Sequence, residues 1–288
     1  MRLDVDHVVF GGTDLDVLAE RFARIGLEGV YGGTHADGTT HMRVVPFPDG
    51  SYLELIAPTA GTAPENAGYW PSRLAADAGP TAWALRVDDP RPAAIEAIES
   101  GFSISGPTPG GRETTEGTRL EWDAVVVEAD RIEPIEADGE TLPFVVADRT
   151  PREWRVPPAA AATGPIRGVG TILLAVSDPT PWIRRFRRLT TVSTATTATL
   201  PGIDGTVHVI PGSPIALVVP AAGSDLDSRL DDLGHGPCGY LFAVDGMDDA
   251  RGEYPLGDPW SIAGRDGAWF EEERGVLGVV SNRPIPDE

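Results

Sequence analysis

The 288-residue sequence repeats one short pattern four times. Each copy has an apolar strand, an acidic or small polar turn and a stretch of helical periodicity, and the copies begin at Asp6, Ala82, Thr171 and Gly239. Internal repetition of this kind is typical of folds built from one supersecondary unit. The repeat therefore limits the chain to architectures in which copies of a small α+β unit pack together.

Helix and turn signals define the unit further. Asp14 and Asp178 are favourable N-cap residues, and Pro179 suits the first position of a helix. Behind the first helix, two strand signals flank residues 48–51, whose Asp-Gly pair predicts a hairpin turn. The same order returns around residues 211–213. The pattern predicts a βαβββ unit, present about four times.

The repeats divide the chain into two halves. We predict an N-terminal domain of residues 1–150, with units at 1–60 and 80–150, and a degenerate C-terminal domain of residues 167–288. Residues 151–166 are rich in Pro and Ala, which indicates a linker.

Two titratable residues interrupt the most apolar strands of the first unit. His7 lies within Val-Asp-His-Val-Val-Phe, and Glu54 lies within Tyr-Leu-Glu-Leu-Ile. A strand that is apolar on both faces is normally buried, and a buried carboxylate is unfavourable unless it is paired, hydrogen-bonded or bound to metal. We therefore expect His7 and Glu54 to meet in a concave ligand site.

The hairpin offers further partners for Glu54. With the turn at residues 49–50, Val45 would face Glu54, and alternation would bring His41 and Arg43 onto the face of Glu54. Arg43 could then form a bidentate ion pair with Glu54.

Three hypotheses follow for this cluster. His7, His41 and Glu54 could bind one divalent metal (Zn, Mn, Fe or Ni), with Glu54 and His41 as catalytic groups. The same side chains could instead hydrogen-bond a small molecule without metal, or form a purely structural cluster. The predicted substrate-binding residues are Arg43, His35, Tyr52, Trp83 and Trp122.

Two of these predictions have structural alternatives. His35 lies in the turn-rich residues 31–40, where it could belong to a lid over the site or to an exposed loop. Trp83 and Trp122 could line an apolar pocket or belong to the core.

Charge limits the partners of the chain. Its 44 acidic residues outnumber 23 basic ones, all of them Arg, and give a net charge of -21. This composition is typical of a salt-loving organism, although a high-GC codon bias would also remove Lys. Nucleic-acid binding is excluded because no basic patch survives such a balance.

Other features point to the compartment. Cys238 is the only cysteine, so no internal disulfide forms. No apolar run reaches the roughly 20 residues of a membrane span, and the early first strand leaves no room for a signal peptide. We predict a cytoplasmic protein with a small-molecule ligand, no membrane partner, and a homodimer as one of the open oligomeric states.

The unit, with a His on its first strand and Tyr-Leu-Glu-Leu-Ile on its last, resembles the vicinal oxygen chelate superfamily and its glyoxalase-like domain proteins. The resemblance covers most of residues 3–150 and, more faintly, residues 167–283. It implies paired βαβββ units that form two glyoxalase/bleomycin-resistance/dioxygenase-like domains with curved mixed sheets.

The resemblance also implies a site and an activity. Metal ligands in this superfamily come from the first and last strands of units, and His7 and Glu54 match those positions, whereas the third unit has Thr171 and Ala216 there. The implied activity is metal-dependent lyase, isomerase or dioxygenase chemistry on a small oxygenated metabolite. The alternative is a metal-free small-molecule binding protein on the same fold.

Overall fold

The computed structural model describes residues 3–132, 140–158, 164–190, 192 and 195–282. Within these residues four βαβββ units follow one another, which confirms the predicted α+β fold. The first unit consists of β1 (Val5–Gly11), α1 (Leu15–Arg24), β2 (Val30–His35), β3 (Thr40–Pro46) and β4 (Tyr52–Pro58). A short helix, α2 (Pro71–Ala75), leads to the second unit, which consists of β5 (Gly79–Arg86), α3 (Pro90–Glu99), β6 (Phe102–Glu113), β7 (Arg119–Asp130) and β8 (Phe144–Asp148).

The second half repeats this order after a short helix, α4 (Arg152–Arg155). The third unit consists of β9 (Ile166–Ala175), α5 (Pro179–Leu189), β10 (Thr196–Ala198), β11 (Gly205–Val209) and β12 (Ile215–Pro220). Helix α6 (Asp225–Leu233) precedes the fourth unit, which consists of β13 (Gly236–Val244), α7 (Met247–Glu253), β14 (Leu256–Ile262), β15 (Arg265–Phe270) and β16 (Leu277–Ser281).

Helices α1 and α5 begin where the sequence predicts. The Asp14 carboxylate accepts hydrogen bonds from the backbone N–H groups of Asp16 and Val17, and the Asp178 carboxylate accepts one from Thr180. These bonds satisfy N–H groups that have no partner within the first helical turn.

The two halves form different sheets. In the described residues, the first two units close into a barrel with the strand order β1-β4-β3-β2-β6-β7-β8-β5. The last two units form an open sheet with the order β10-β11-β12-β9-β13-β16-β15-β14. An apolar cluster that includes Leu173, Trp260 and Trp269 fills one face of the open sheet, and Ala216, the position that matches Glu54, belongs to that cluster.

The halves share one hydrophobic core. Phe10 and Phe22 of the first unit belong to the same buried cluster as Leu174 and Phe242 of the second half. The buried Tyr240 hydroxyl lies 2.8 Å from the carbonyl oxygen of Val9 on the barrel wall. The barrel is therefore supported on one side by the second sheet.

The segment predicted to be a linker begins as part of the barrel. Its first residues form α4, and the Arg155 side chain of this helix is 4% exposed and contacts Tyr52 and Asp148 at one end of the barrel. Residues 159–163 of the segment lie outside the described residues.

The predicted register of the β3–β4 hairpin is wrong by one residue. Val44, not Val45, lies opposite Glu54, and Arg43 lies opposite Leu55. The Phe47 N–H donates to the carbonyl of Ser51, and Gly50 has a φ of 83°, so the loop is longer than a two-residue turn. Because side chains alternate between faces, a shift of one residue moves the whole set to the other side of the strand.

No helix in the described residues is both long and apolar enough to cross a membrane.

Candidate functional site

The interior of the barrel holds a cavity of 780 Å³. Closure of the sheet creates this space, because the side chains that face inward do not fill the centre of the barrel. Its histidine and charged lining residues are His7, His35, Glu54, Arg73, Arg112, Arg155, Glu128 and Glu140. Its aromatic lining comprises Tyr52, Tyr69, Trp70, Trp122 and Phe144.

Two imidazoles converge on one carboxylate in this cavity. The Nε2 atom of His7 lies 3.5 Å from Oε2 of Glu54, and Nε2 of His35 lies 3.7 Å from Oε1 of Glu54. All three residues are buried. The prediction that His7 and Glu54 meet is therefore confirmed, and His35 joins them.

A β-bulge in β1 places the Asp6 carboxylate next to the His7 ring. The pairing of β1 with β5 shifts register between Val5 and His7, which leaves Asp6 as the extra residue. Asp6 is fully buried, and its Oδ1 lies 2.7 Å from Nδ1 of His7. The bulge therefore lets a carboxylate orient the imidazole from behind.

Asp6 is held ionised by a network at the barrel end. Burial by itself raises the pKa of this carboxyl, but the Arg155 guanidinium and His7 outweigh it and hold the pKa well below its usual range. Arg155 donates to both carboxylate oxygens at 3.0 Å, and Arg152 donates at 2.6 Å. An ionised carboxylate can only accept hydrogen bonds. Nδ1 of His7 therefore carries the proton and donates a hydrogen bond to Asp6.

His35 is oriented in a similar way. Its Nδ1 atom lies 2.9 Å from the Thr40 hydroxyl. Burial lowers the pKa of His35, although Glu54 acts in the opposite direction, so the imidazole is neutral at pH 7. The prediction that His35 lies in a loop is wrong, because it is the last residue of β2.

The donor set suits a divalent transition metal. Neutral imidazole nitrogens and a carboxylate are common ligands of Zn, Mn, Fe and Ni, and ligands about 2.1 Å from a tetrahedral ion lie roughly 3.4 Å apart. The two contacts between imidazole and carboxylate are close to that separation. Within the described ranges, however, no group of three or more His, Cys, Asp or Glu side chains is arranged so that it could hold a metal ion as it stands. The fit to a metal therefore rests on the chemistry of the donors.

Three predicted site residues lie outside the cavity. His41 is half-buried on the opposite face of β3, where its ring lies 6.0 Å from that of Tyr31. Arg43 lies 3.6 Å from Asp16 rather than forming the predicted ion pair with Glu54.

Trp83 is the third of these residues, and it belongs to the core. It is fully buried in the main hydrophobic cluster, and its indole N–H donates to the carbonyl of Thr141. Of the two alternatives predicted for the tryptophans, Trp83 therefore belongs to the core, whereas Trp122 lines the cavity.

The predicted Tyr52 and Trp122 form part of an aromatic wall. The Tyr52 ring stacks on His7 with centroids 4.6 Å apart, and Phe144 contacts His7 edge-on at 5.3 Å. Near the mouth, Tyr69 lies 5.1 Å from His35. These rings surround the His7–His35–Glu54 cluster with apolar surface.

Sequence reasoning missed several charged residues of the site, among them Asp6, Arg112 and Arg155. Asp6 carried a usable signal, since it is a second titratable residue in the same apolar strand as His7. Arg112 and Arg155 carried none, because β6 has little apolar patterning and α4 lies in a segment that reads as a linker.

Known proteins resemble both the sequence and the fold. The model of the family described as Glyoxalase-like domain matches residues 5–190. No relative was found among the curated proteins.

Solved structures resemble nearly the whole chain at low sequence identity. A hypothetical protein from Staphylococcus aureus has a TM-score of 0.62 and 12% identity, with 97% of this chain and 98% of that chain covered. A variant of 4-hydroxymandelate synthase from Streptomyces coelicolor has a TM-score of 0.59 and 15% identity, with coverages of 99% and 94%. The 2,2',3-trihydroxybiphenyl 1,2-dioxygenase from Sphingomonas wittichii has a TM-score of 0.57 and 12% identity, with coverages of 100% and 93%. At these identities the likeness establishes the fold.

Proposed function

Because the chain belongs to the glyoxalase-like domain family of the vicinal oxygen chelate superfamily, we propose that its barrel cavity is the active site of a metal-dependent enzyme. The reaction would be of the lyase, isomerase or dioxygenase type, on a small oxygenated metabolite. One observation carries the proposal. His7 and His35 direct their Nε2 atoms at the two oxygens of Glu54, while their Nδ1 atoms are held from behind.

That arrangement needs a positive charge between its members. Since Nδ1 of His7 donates to Asp6, its neutral form presents a lone pair to the Glu54 carboxylate. Two acceptors that face each other repel unless a proton or a cation lies between them. Asp6 then has the position that carboxylates take behind metal-binding histidines, where they fix the tautomer and the ring orientation.

In the proposed enzyme His7, His35 and Glu54 would hold the metal. A divalent metal would supply Lewis-acid stabilisation of negative charge on substrate oxygens. Asp6 and Thr40 would keep the two imidazoles in place, and the aromatic wall would exclude water from the reacting groups. Two of the structurally similar proteins are named for hydroxylated aromatic compounds, and this wall is compatible with a ring-bearing metabolite.

Metal analysis tests the proposal. Protein purified without chelator and incubated with Zn, Mn, Fe or Ni salts should retain about one equivalent of metal after gel filtration. His7→Ala, His35→Ala and Glu54→Gln should each lose it. His41→Ala is the matched control, because His41 lies on the same hairpin outside the cavity and should retain the metal.

Two outcomes would contradict metal dependence. One is a folded wild type that retains none of the four metals. The other is a His41→Ala variant that loses metal as readily as His35→Ala. The net charge of -21 predicts a halophilic origin. Metal retention should therefore be measured both at low salt and in molar KCl.

A specific observation favours the second candidate, a metal-free binding protein. Arg112 lines the cavity, and its backbone pairs with His35 in the ladder between β2 and β6. A fixed cation near a divalent ion is electrostatically unfavourable unless an anion joins them. In the metal-free alternative, Glu54, Arg112 and the imidazoles would hydrogen-bond the ligand directly. A metal-free wild type whose melting temperature rises with a small metabolite would support this candidate.

A further inference from the structure

Arg112 is a buried cation that forms no ion pair with any of the described residues. It is 5% exposed, it lines the cavity, and its position on β6 pairs with His35 on β2. Its Nη2 group donates to the backbone carbonyl of Arg155 at 2.7 Å. In the part of the chain that the structure describes, Arg112 makes no other hydrogen bond and no ion pair. Burying a charge in this state is unfavourable, so the protein must gain something by keeping it there.

Three other buried arginines have more hydrogen-bond acceptors than Arg112. Arg155 pairs with two carboxylates, those of Asp6 and Asp148. Arg73 donates to two backbone carbonyls through Nη2, although its buried Nη1 has no hydrogen-bond partner among the described residues. Arg265 has three oxygen acceptors. Arg112 has a single neutral acceptor, although its planar guanidinium offers five N–H donors. Among these cations it is the one with most unused donor capacity.

The carboxylates of the cavity do not neutralise Arg112. Glu54 interacts electrostatically with Arg112. The same carboxylate faces two imidazoles, however, and would be a ligand of a bound metal. Arg112 pairs with Leu120 on β7, and Glu128 lies eight residues further along that strand, a separation of roughly 26 Å. Glu140 accepts a hydrogen bond from Trp70 and interacts electrostatically with Arg73. The anion that matches Arg112 is therefore expected from the ligand.

Apolar rings surround the space next to this cation. Trp122 lies on the neighbouring strand β7, and its indole covers Gly110, where an added Cβ would come within 2.3 Å of the indole nitrogen. Tyr52 and Phe144 face the same cavity. A ligand that places an anionic group at Arg112 would have its remaining atoms against these rings.

We propose that Arg112 is a specificity-determining residue that binds the carboxylate of an aromatic acid in the barrel cavity. A guanidinium matches a carboxylate in a bidentate, planar geometry, and such charge-assisted pairs are strong where water is excluded. The inference rests on the proposed function in one respect, that the cavity is the substrate site. It names the class of molecule that enters, aromatic carboxylic acids.

The test compares two probes of the same shape and different charge. Binding of 2-naphthoate and of neutral 2-naphthamide is measured by calorimetry and by tryptophan fluorescence, with metal-loaded and metal-free protein at one salt concentration. Wild type should bind the carboxylate about 10- to 100-fold more tightly than the amide, the range expected for hydrogen bonds to a charged group. Arg112→Gln should lose the preference for the carboxylate. Arg112→Lys keeps the positive charge but not the bidentate geometry of the guanidinium, so it should retain part of this preference. Arg43→Gln, a cation outside the cavity, should leave it unchanged.

The probe comparison needs no variant, so it remains decisive if Arg112→Gln fails to fold. Equal binding of the two probes to wild type, no binding of 2-naphthoate, or an unchanged preference in a folded Arg112→Gln variant would overturn the proposal. Failure of the metal proposal would look different. Wild type would then contain no metal while the preference for the carboxylate persisted and still depended on Arg112.

Discussion

Asp6 connects the stability of the barrel to the orientation of His7, and its replacement by Asn tests that connection. The carboxylate is fully buried and accepts from Arg155 twice, from Arg152 once and from His7 once. Asn has nearly the same shape, but it carries no charge and turns an NH₂ group towards donors. Asp6→Asn therefore leaves the buried Arg155 with one carboxylate, that of Asp148.

The size of the loss follows from that geometry. Removing one member of a buried ion pair destabilises a protein by roughly 3–5 kcal/mol, because the remaining charge is buried without compensation. Asp148 still pairs with Arg155, and Arg152 is partly exposed, so we expect the lower end, about 3 kcal/mol. At 2–4 °C per kcal/mol this corresponds to a fall of about 6–12 °C in melting temperature.

The pH dependence has a definite sign. The pKa of Asp6 in the folded protein lies well below the ordinary value of 3.8. Its contribution to stability is therefore fully present above that ordinary value and is lost as the pH falls from there through the folded pKa. The difference between wild type and Asp6→Asn should stay constant from pH 8 to pH 5 and shrink only below about pH 4.

Urea unfolding followed by circular dichroism at several pH values measures this difference. Glu272→Gln is the control, because the pair between Glu272 and Arg24 is exposed and its loss should change the unfolding free energy by less than about 1 kcal/mol. An Asp6→Asn variant as stable as the control would refute the argument that the Asp6 network holds the barrel end. A difference that already disappears between pH 8 and pH 5 would refute the assigned pKa direction.

Two further predictions concern the contact between the halves and the single cysteine. Tyr240→Phe removes the hydroxyl beside the Val9 carbonyl, so this carbonyl loses a buried hydrogen-bond partner. Urea unfolding should show a fall of about 1–3 kcal/mol in the unfolding free energy. An unchanged unfolding free energy would contradict this prediction. Burial raises the pKa of the Cys238 thiol to about 12, so Ellman's reagent should not label native protein at pH 8 but should label one thiol after denaturation. Rapid labelling of the native protein would show that the thiol is accessible.

Much of the fold was predictable because it is encoded locally. Capping by Asp14 and Asp178, the apolar strands and the repeated order of elements all depend on residues a few positions apart. The site was less predictable at one particular step. The hairpin loop closes with Gly50 in a left-handed conformation, and the extra residue reverses which side chains of β3 face Glu54. The predicted register therefore directs His41 into the cavity, whereas in the structure Met42 lines it.

The sequence by itself determined that a small α+β unit repeats and that His7 and Glu54 interrupt buried strands, because apolar periodicity and the need to compensate a buried charge can be read from neighbouring residues. Only the tertiary structure decided which groups join them. Barrel closure pairs β2 with β6 and so places His35 beside Arg112. Helix α4 brings Arg155 to Asp6, although the two residues are 149 positions apart in the sequence. Contacts of this kind depend on how distant strands close around a common space, and no local pattern specifies that.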